Sequence, residues 1–235
     1  KEEADLYYQM SADKWNSDAM YSYAEMFHKG DGIEANLELA ANYYKMSADK
    51  GNSDAMYSYA KMLQKGDCIE ANLELAANYY KMSADKGNPS SKNCYANIIF
   101  GVNKEEAARY YKMSAKKGND NAMFSYAKMR QIGDGIAANK NDALYYYKLS
   151  ADKKNSFAMY EYGSMLYDDG INKKEAAHYF KMAADKGDVK GMFYYALMKY
   201  SEDEITIDKK EAATYFKKAA DQGYPKAMYH YAKML

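Results

Sequence analysis

Proline and cysteine each occur only twice in this chain, tryptophan once and histidine three times. So little proline leaves helices uninterrupted, because a proline inside a helix removes a backbone donor and clashes with the preceding turn. Cys68 and Cys94 stand in unrelated settings without metal-ligand spacing, and no Asn-x-Ser/Thr acceptor exists, Asn88 being followed by Pro89. Both absences favour a reducing, cytoplasmic setting. No stretch reaches the roughly 18 apolar residues of a membrane span, and no charged-then-apolar leader opens the chain at Lys1. A surplus of one charge is missing as well. The 33 Lys plus Arg residues balance the 33 Asp plus Glu, so no broad field gathers phosphate backbones and nucleic acid is not an expected partner.

What is abundant is tyrosine, 28 residues against 7 phenylalanines, together with 17 methionines. A tyrosine has an apolar body and a hydroxyl that needs water or a partner, which suits many thin helix interfaces better than one thick core. The chain also repeats itself. Twenty residues from Ile33 to Asn52 recur verbatim from Ile69 to Asn88, a shift of 36, and the eight beginning at Ser17 recur at Ser53. An aromatic pair marks each copy: Tyr7-Tyr8, Tyr43-Tyr44, Tyr79-Tyr80, Tyr110-Tyr111, Tyr146-Tyr147, Tyr179-Phe180 and Tyr215-Phe216. A second segment built on AMYSYAKML follows the pair, seen again from Ala122, Ala158 and Ala227.

Both segments have helical spacing, since Ala40, Tyr44, Ser47 and Ala48 share one face, as do Ala55, Tyr59, Met62 and Leu63. Gly51, Gly87, Gly118, Gly187 and Gly223 fall where the first helix ends in a left-handed residue. Asn52 or Ser53 is placed to cap the second helix, and Pro89 and Pro225 sit in a first turn that needs no N–H. Trp15 and Lys154 occupy the glycine slot, so those two turns are expected to be reshaped. Gly30-Asp31-Gly32 and Gly133-Asp134-Gly135 read as loops rather than phosphate cradles, because no strand pattern precedes them. Asp169-Gly170 is a shortened copy, Gly66-Asp67-Cys68 an altered one, and Ser201-Glu202-Asp203-Glu204 a replacement.

The recurring order Ala-x-x-x-Tyr-Ala/Gly-x-x-Leu, Gly-x-Gly-Ile, Ala-x-x-Tyr-Tyr/Phe-x-x-Ser/Ala-Ala-x-x-Gly-Asn resembles the Sel-one-like repeat (SLR), a tetratricopeptide-like (TPR-like) helical repeat, over nearly the whole chain. The family's frequent Leu-Gly is mostly Tyr-Ala here, its glycine surviving at Gly163, so helices in the Ala copies are expected to stand slightly wider apart. The resemblance implies an all-α, α/α superhelical solenoid of about seven helix-turn-helix repeats, approximately 1–36, 37–72, 73–103, 104–139, 140–172, 173–208 and 209–235, forming a single repeat domain. It further implies a scaffold or adaptor, with the AMYSYAKML helices lining a concave groove that takes a partner peptide or helix. The alternative is a regulatory or targeting arm of a longer polypeptide whose catalytic domain, for example a kinase, lies outside this chain.

If Ala55, Met56, Tyr59, Ala60 and Leu63 pack inward, Tyr57, Lys61 and Gln64 are left facing the groove. Equivalent positions form an aromatic ladder of Tyr21, Tyr57, Phe124, Tyr160, Phe193 and Tyr229, interrupted by Asn93, with Glu25, Lys61, Asn97, Lys128, Ser164 and Lys233 beside it. These residues are the candidate partner-binding groove, and packing between repeats is the competing reading of the same column. His28, His178 and His230 are each alone, and no His-x-x-x-His, paired cysteine or Gly-x-Ser-x-Gly elbow occurs. No catalytic residue, metal site or cofactor is therefore expected. Because the chain opens and closes inside helix patterns, it is expected to be a piece of a longer one, with end-to-end self-association through apolar faces near Leu6-Tyr7 and Met234-Leu235.

Overall fold

The structure is a computed structural model that describes residues 2–12, 14–170, 172–201 and 207–235, with side chains from residue 7 onward. It is an all-α solenoid of paired helices. The first helix of each pair is Glu2–Ala12 (α1), Leu37–Asp49 (α3), Leu73–Asp85 (α5), Lys104–Lys116 (α7), Lys140–Asp152 (α9), Lys173–Asp185 (α11) and Lys209–Asp221 (α13). The second is Ser17–Lys29 (α2), Ser53–Lys65 (α4), Pro89–Ile99 (α6), Asp120–Ile132 (α8), Ser156–Asp168 (α10), Val189–Ser201 (α12) and Pro225–Ala232 (α14). The chain divides into two compact units, Lys1–Asn119 and Asp120–Leu235, and within each every helix packs on its neighbour in sequence.

Most of the described helices begin where an asparagine or aspartate can cap them. Asn16, Asn52, Asn88 and Asn155 accept backbone N–H bonds at the starts of second helices, while Asn36, Asn72, Asn103, Asn139, Asn172 and Asp208 do so for first helices. The first-helix caps were not read from the sequence. Each pair turns over on a left-handed residue, φ 96° at Gly51 and 103° at Gly87. Trp15 (φ 66°) and Lys154 (φ 71°) correct the expectation of reshaped turns, for they take the same left-handed conformation. Their turns keep the same backbone bonds, Trp15 N–H to Ala12 and Lys154 N–H to Ala151 at 2.8 Å, as Gly51 N–H makes to Ala48. The tight turn therefore imposes its geometry on whatever residue fills it. Replacing Lys154→Gly should relieve about 1 kcal/mol of left-handed strain, which a higher urea midpoint with an unchanged slope would register.

Thin interfaces replace one thick core. Ala40, Ala60, Ala76, Ala127 and Ala143 are fully buried and let backbones approach, and Tyr44, Tyr80, Tyr147, Phe180 and Phe216 fill the spaces between helices. At Gly163 a Cβ would stand 3.1 Å from the Phe180 ring, so this copy draws its second helix against the next aromatic where alanine copies cannot. The Leu6 side chain and the Glu202-Asp203-Glu204 loop lie outside the described residues. Among the described residues no helix is long and apolar enough to cross a membrane.

Candidate functional site

Beyond the first repeat, the two rings of an aromatic pair take different tasks. The first ring meets a tyrosine of the preceding second helix edge-on: Tyr59 with Tyr79 at 5.0 Å and 88°, Tyr162 with Tyr179 at 4.7 Å and 80°. Its hydroxyl reaches back one repeat to a carboxylate, Tyr79 to Asp49 at 3.0 Å, Tyr179 to Asp152 at 2.8 Å and Tyr215 to Asp185 at 3.0 Å. The second ring is buried deeper and donates toward the second-helix side. Tyr80 bonds Gln64 at 2.9 Å, Tyr111 bonds Asn97 at 2.6 Å, Tyr147 bonds Gln131 at 2.8 Å, and Tyr44 donates to Glu25, which also pairs with Lys29. Where this ring is phenylalanine, Phe180 or Phe216, the position of Gln64 carries Tyr167 or Tyr200 instead, each ring-on-ring with its phenylalanine.

The ladder aromatics rest on these buried rings. Tyr21 meets Tyr44, Tyr57 meets Tyr80, Phe124 meets Tyr147, Tyr160 meets Phe180 and Phe193 meets Phe216, with centroids 5.9, 5.9, 5.8, 6.0 and 5.8 Å apart. Tyr21, Tyr57, Phe124 and Tyr160 are half-buried, so they pack with one part of the ring and leave another open. Phe193 and Asn93 do not face a groove. Phe193 is buried because Tyr194, Tyr224 and His230 crowd its ring, and Asn93 is buried with its Oδ1 lacking a hydrogen bond. Tyr229 is 61 % exposed, and Lys61, Gln64, Asn97, Lys128 and Lys233 are exposed, whereas Glu25 and Ser164 are half-buried. Gln64, Asn97 and Glu25 thus also serve as hydrogen-bond partners of buried tyrosines, a role that sequence reasoning did not give them.

In the first unit an open cleft of about 430 Å³ brings four candidates together, Tyr21, Glu25, Tyr57 and Lys61, with His28, Tyr44, Asp54 and Ser58 among its other walls. Burial raises the hydroxyl pKa of Tyr57, and Cys94 beside it adds to the shift. Glu25 is drawn down despite burial by its bonds to Lys29 and Tyr44. Lys61 projects at the rim without a hydrogen bond or ion pair among the described residues. No group of three or more His, Cys, Asp or Glu residues able to hold a metal ion occurs among the described residues. His28 and His230 lie against Tyr44 and Phe216 at 6.0 and 5.2 Å, and His178 lies beside Tyr179.

Residues 17–52, 53–88, 101–119, 120–155, 156–188 and 189–224 match the sequence model of the Sel1 repeat; five of these six matches frame a second helix followed by the next first helix, and 101–119 holds α7 alone. No curated protein matches the chain by sequence. Among solved structures, a protective antigen of uropathogenic Escherichia coli displaying an SLR fold superposes with a TM-score of 0.90 at 21% identity, covering 98% of this chain and 51% of the antigen. This chain therefore spans about half the length of that relative. A Sel1 repeat protein from Oxalobacter formigenes superposes with a TM-score of 0.74 at 20% identity, over 87% of this chain and 85% of its own. An immunity protein from Pseudomonas aeruginosa superposes at 0.51 and 19% identity, over 87% and 80%.

Proposed function

We propose that this chain, which belongs to the Sel1 repeat family, is a non-enzymatic protein-binding scaffold that holds a partner peptide or helix along its second helices. The observation that carries this reading is the first-unit cleft, where Tyr21 and Tyr57 are seated on buried Tyr44 and Tyr80 while Lys61 stands unpaired beside them. Rings already fixed by packing lose little conformational freedom when a partner arrives, so more of each contact survives as affinity. An unpaired lysine at the rim supplies a charged donor that carbonyls or carboxylates of a partner can use. The two halves of this arrangement recur because they are built from duplicated residues, and repetition of a surface suits an extended partner better than a single reaction centre.

The test has to spare the packing, since truncating Tyr57 to alanine would expose Tyr80 as well. Tyr57→Phe with Lys61→Glu keeps the ring and reverses the charge. Extract proteins captured by the unaltered chain should be recovered roughly tenfold less well by this variant at equal helicity, the factor that about 1.4 kcal/mol represents. Unchanged recovery of the same partners would reduce the cleft to a packing seam and sink the proposal.

A further inference from the structure

One position changes character along the second helices. The residue after the ladder aromatic is Ser22, Ser58 and Ser125 in three copies, yet Glu161 in α10 and Tyr194 in α12. Glu161 is half-buried, and among the described residues it takes no hydrogen bond and closes no ion pair. Burial raises its carboxyl pKa, and Lys190 and Lys128 lower it only in part while Asp188 opposes them. A carboxylate partly withdrawn from water and left without a close partner is costly, and an incoming donor would recover that cost.

On α10, Phe157 stands one helical turn before Glu161 on the same face, and Tyr160 directly precedes it. The charge of Glu161 is felt by the hydroxyls of both Tyr147 and Tyr160, which it pushes further from ionisation. Phe124 lies 5.8 Å from Tyr147 and 6.1 Å from Phe157, whose ring is 63 % exposed, and Tyr160 lies 5.9 Å from Tyr194. Lys190 already places its ammonium 5.4 Å from the centre of the Tyr160 ring, so this ring accepts a cation within the molecule itself. A planar guanidinium suits such a place better than an ammonium, because it can fork onto a carboxylate and stack on rings at once.

We infer that Glu161, with Tyr160, Phe124 and Phe157 around it, receives an arginine side chain of the bound partner. This rests on the reading of the second helices as a binding face, and it adds that the second unit selects a basic residue. The two fail separately, because capture through the Tyr57 and Lys61 cleft of the first unit does not involve Glu161.

The experiment uses the full chain and two small probes, acetyl-Ala-Arg-Ala-amide and its citrulline counterpart, which keeps the shape of arginine without the charge. Amide NMR shifts should centre on Phe124, Tyr160 and Glu161 for the arginine probe, with citrulline binding at least roughly tenfold more weakly. Glu161→Gln should lose the same factor, and Glu161→Ser, which installs the residue of the other copies, should lose it too while keeping the fold. Equal affinity for arginine and citrulline, unchanged binding in both variants, or no shift at these three residues would each overturn the assignment.

Discussion

Raising the pH past about 10, where tyrosine ionises in unfolded chains, is expected to unfold this protein steeply. Burial raises the pKa of Tyr44, Tyr80, Tyr147, Tyr160 and Tyr195, with Glu25 adding to it at Tyr44 and Glu211 at Tyr195, and it takes Tyr179 up to about 12 with the help of Asp152. Below the unfolded value both states hold the proton and the contribution of these groups is complete. Above it the unfolded chain binds fewer protons than the folded one, so stability falls as pH rises, by up to about 1.4 kcal/mol per pH unit for each such tyrosine. Several groups acting together exceed the margin of a typical domain within one or two pH units. Helicity by circular dichroism and tyrosinate absorbance, followed together, should change in a single coincident transition. Tyrosinate appearing gradually with helicity intact would contradict it.

Lys92→Met should stabilise the protein at neutral pH by about 1 kcal/mol, the low end of the cost of withdrawing a polar group from water, because the side chain is buried while its ammonium keeps some contact with solvent. Lys92 occupies the position filled by Met20, Met56, Met123, Met159 and Met192 in other copies, is 5% exposed, and has no hydrogen bond or ion pair among the described residues. Burial lowers its pKa, and Lys117 nearby lowers it further. For a lysine depressed in the folded state, the penalty is complete below the folded pKa. It then fades as pH climbs toward the unfolded value near 10.4, because over that window the unfolded chain binds more protons. The advantage of methionine should accordingly shrink between pH 7 and pH 10 when urea midpoints of the two proteins are compared. An equal or lower midpoint at neutral pH would mean that the ammonium finds adequate hydration.

The fold was legible because its signals are redundant. Aromatic pairs, alanine faces and turn glycines recur in register, so an irregular copy such as the one containing Lys92 is read from its neighbours. The exposure of the candidate residues was legible in part. Tyr21, Tyr57, Phe124 and Tyr160 lie half-open as the helical spacing implied, while Phe193 is buried because Tyr194 and Tyr224 follow it in places where other copies mostly carry serine and asparagine. Helical periodicity says which residues share a face, and it is silent on what the next repeat lays over them. The same limit hid the bonds from Tyr80 to Gln64 and Tyr79 to Asp49, which join residues of different helices. A trace was present in the sequence, since tyrosine accompanies Gln64 and Gln131 where phenylalanine accompanies Tyr167 and Tyr200. Glu161 escaped notice because duplicated copies draw attention to what they share.

Ser47 bonds the Ser17 carbonyl and Ser83 the Ser53 carbonyl at the same 2.7 Å, while Asn52 and Asn88 each reach an aspartate of the preceding copy at 2.8 Å. The two seams are chemically interchangeable. Unequal recombination between their coding stretches could therefore delete or insert 36 residues in frame and rejoin matching surfaces, so that the length of the array becomes a heritable variable that changes in whole steps without new side-chain contacts having to evolve.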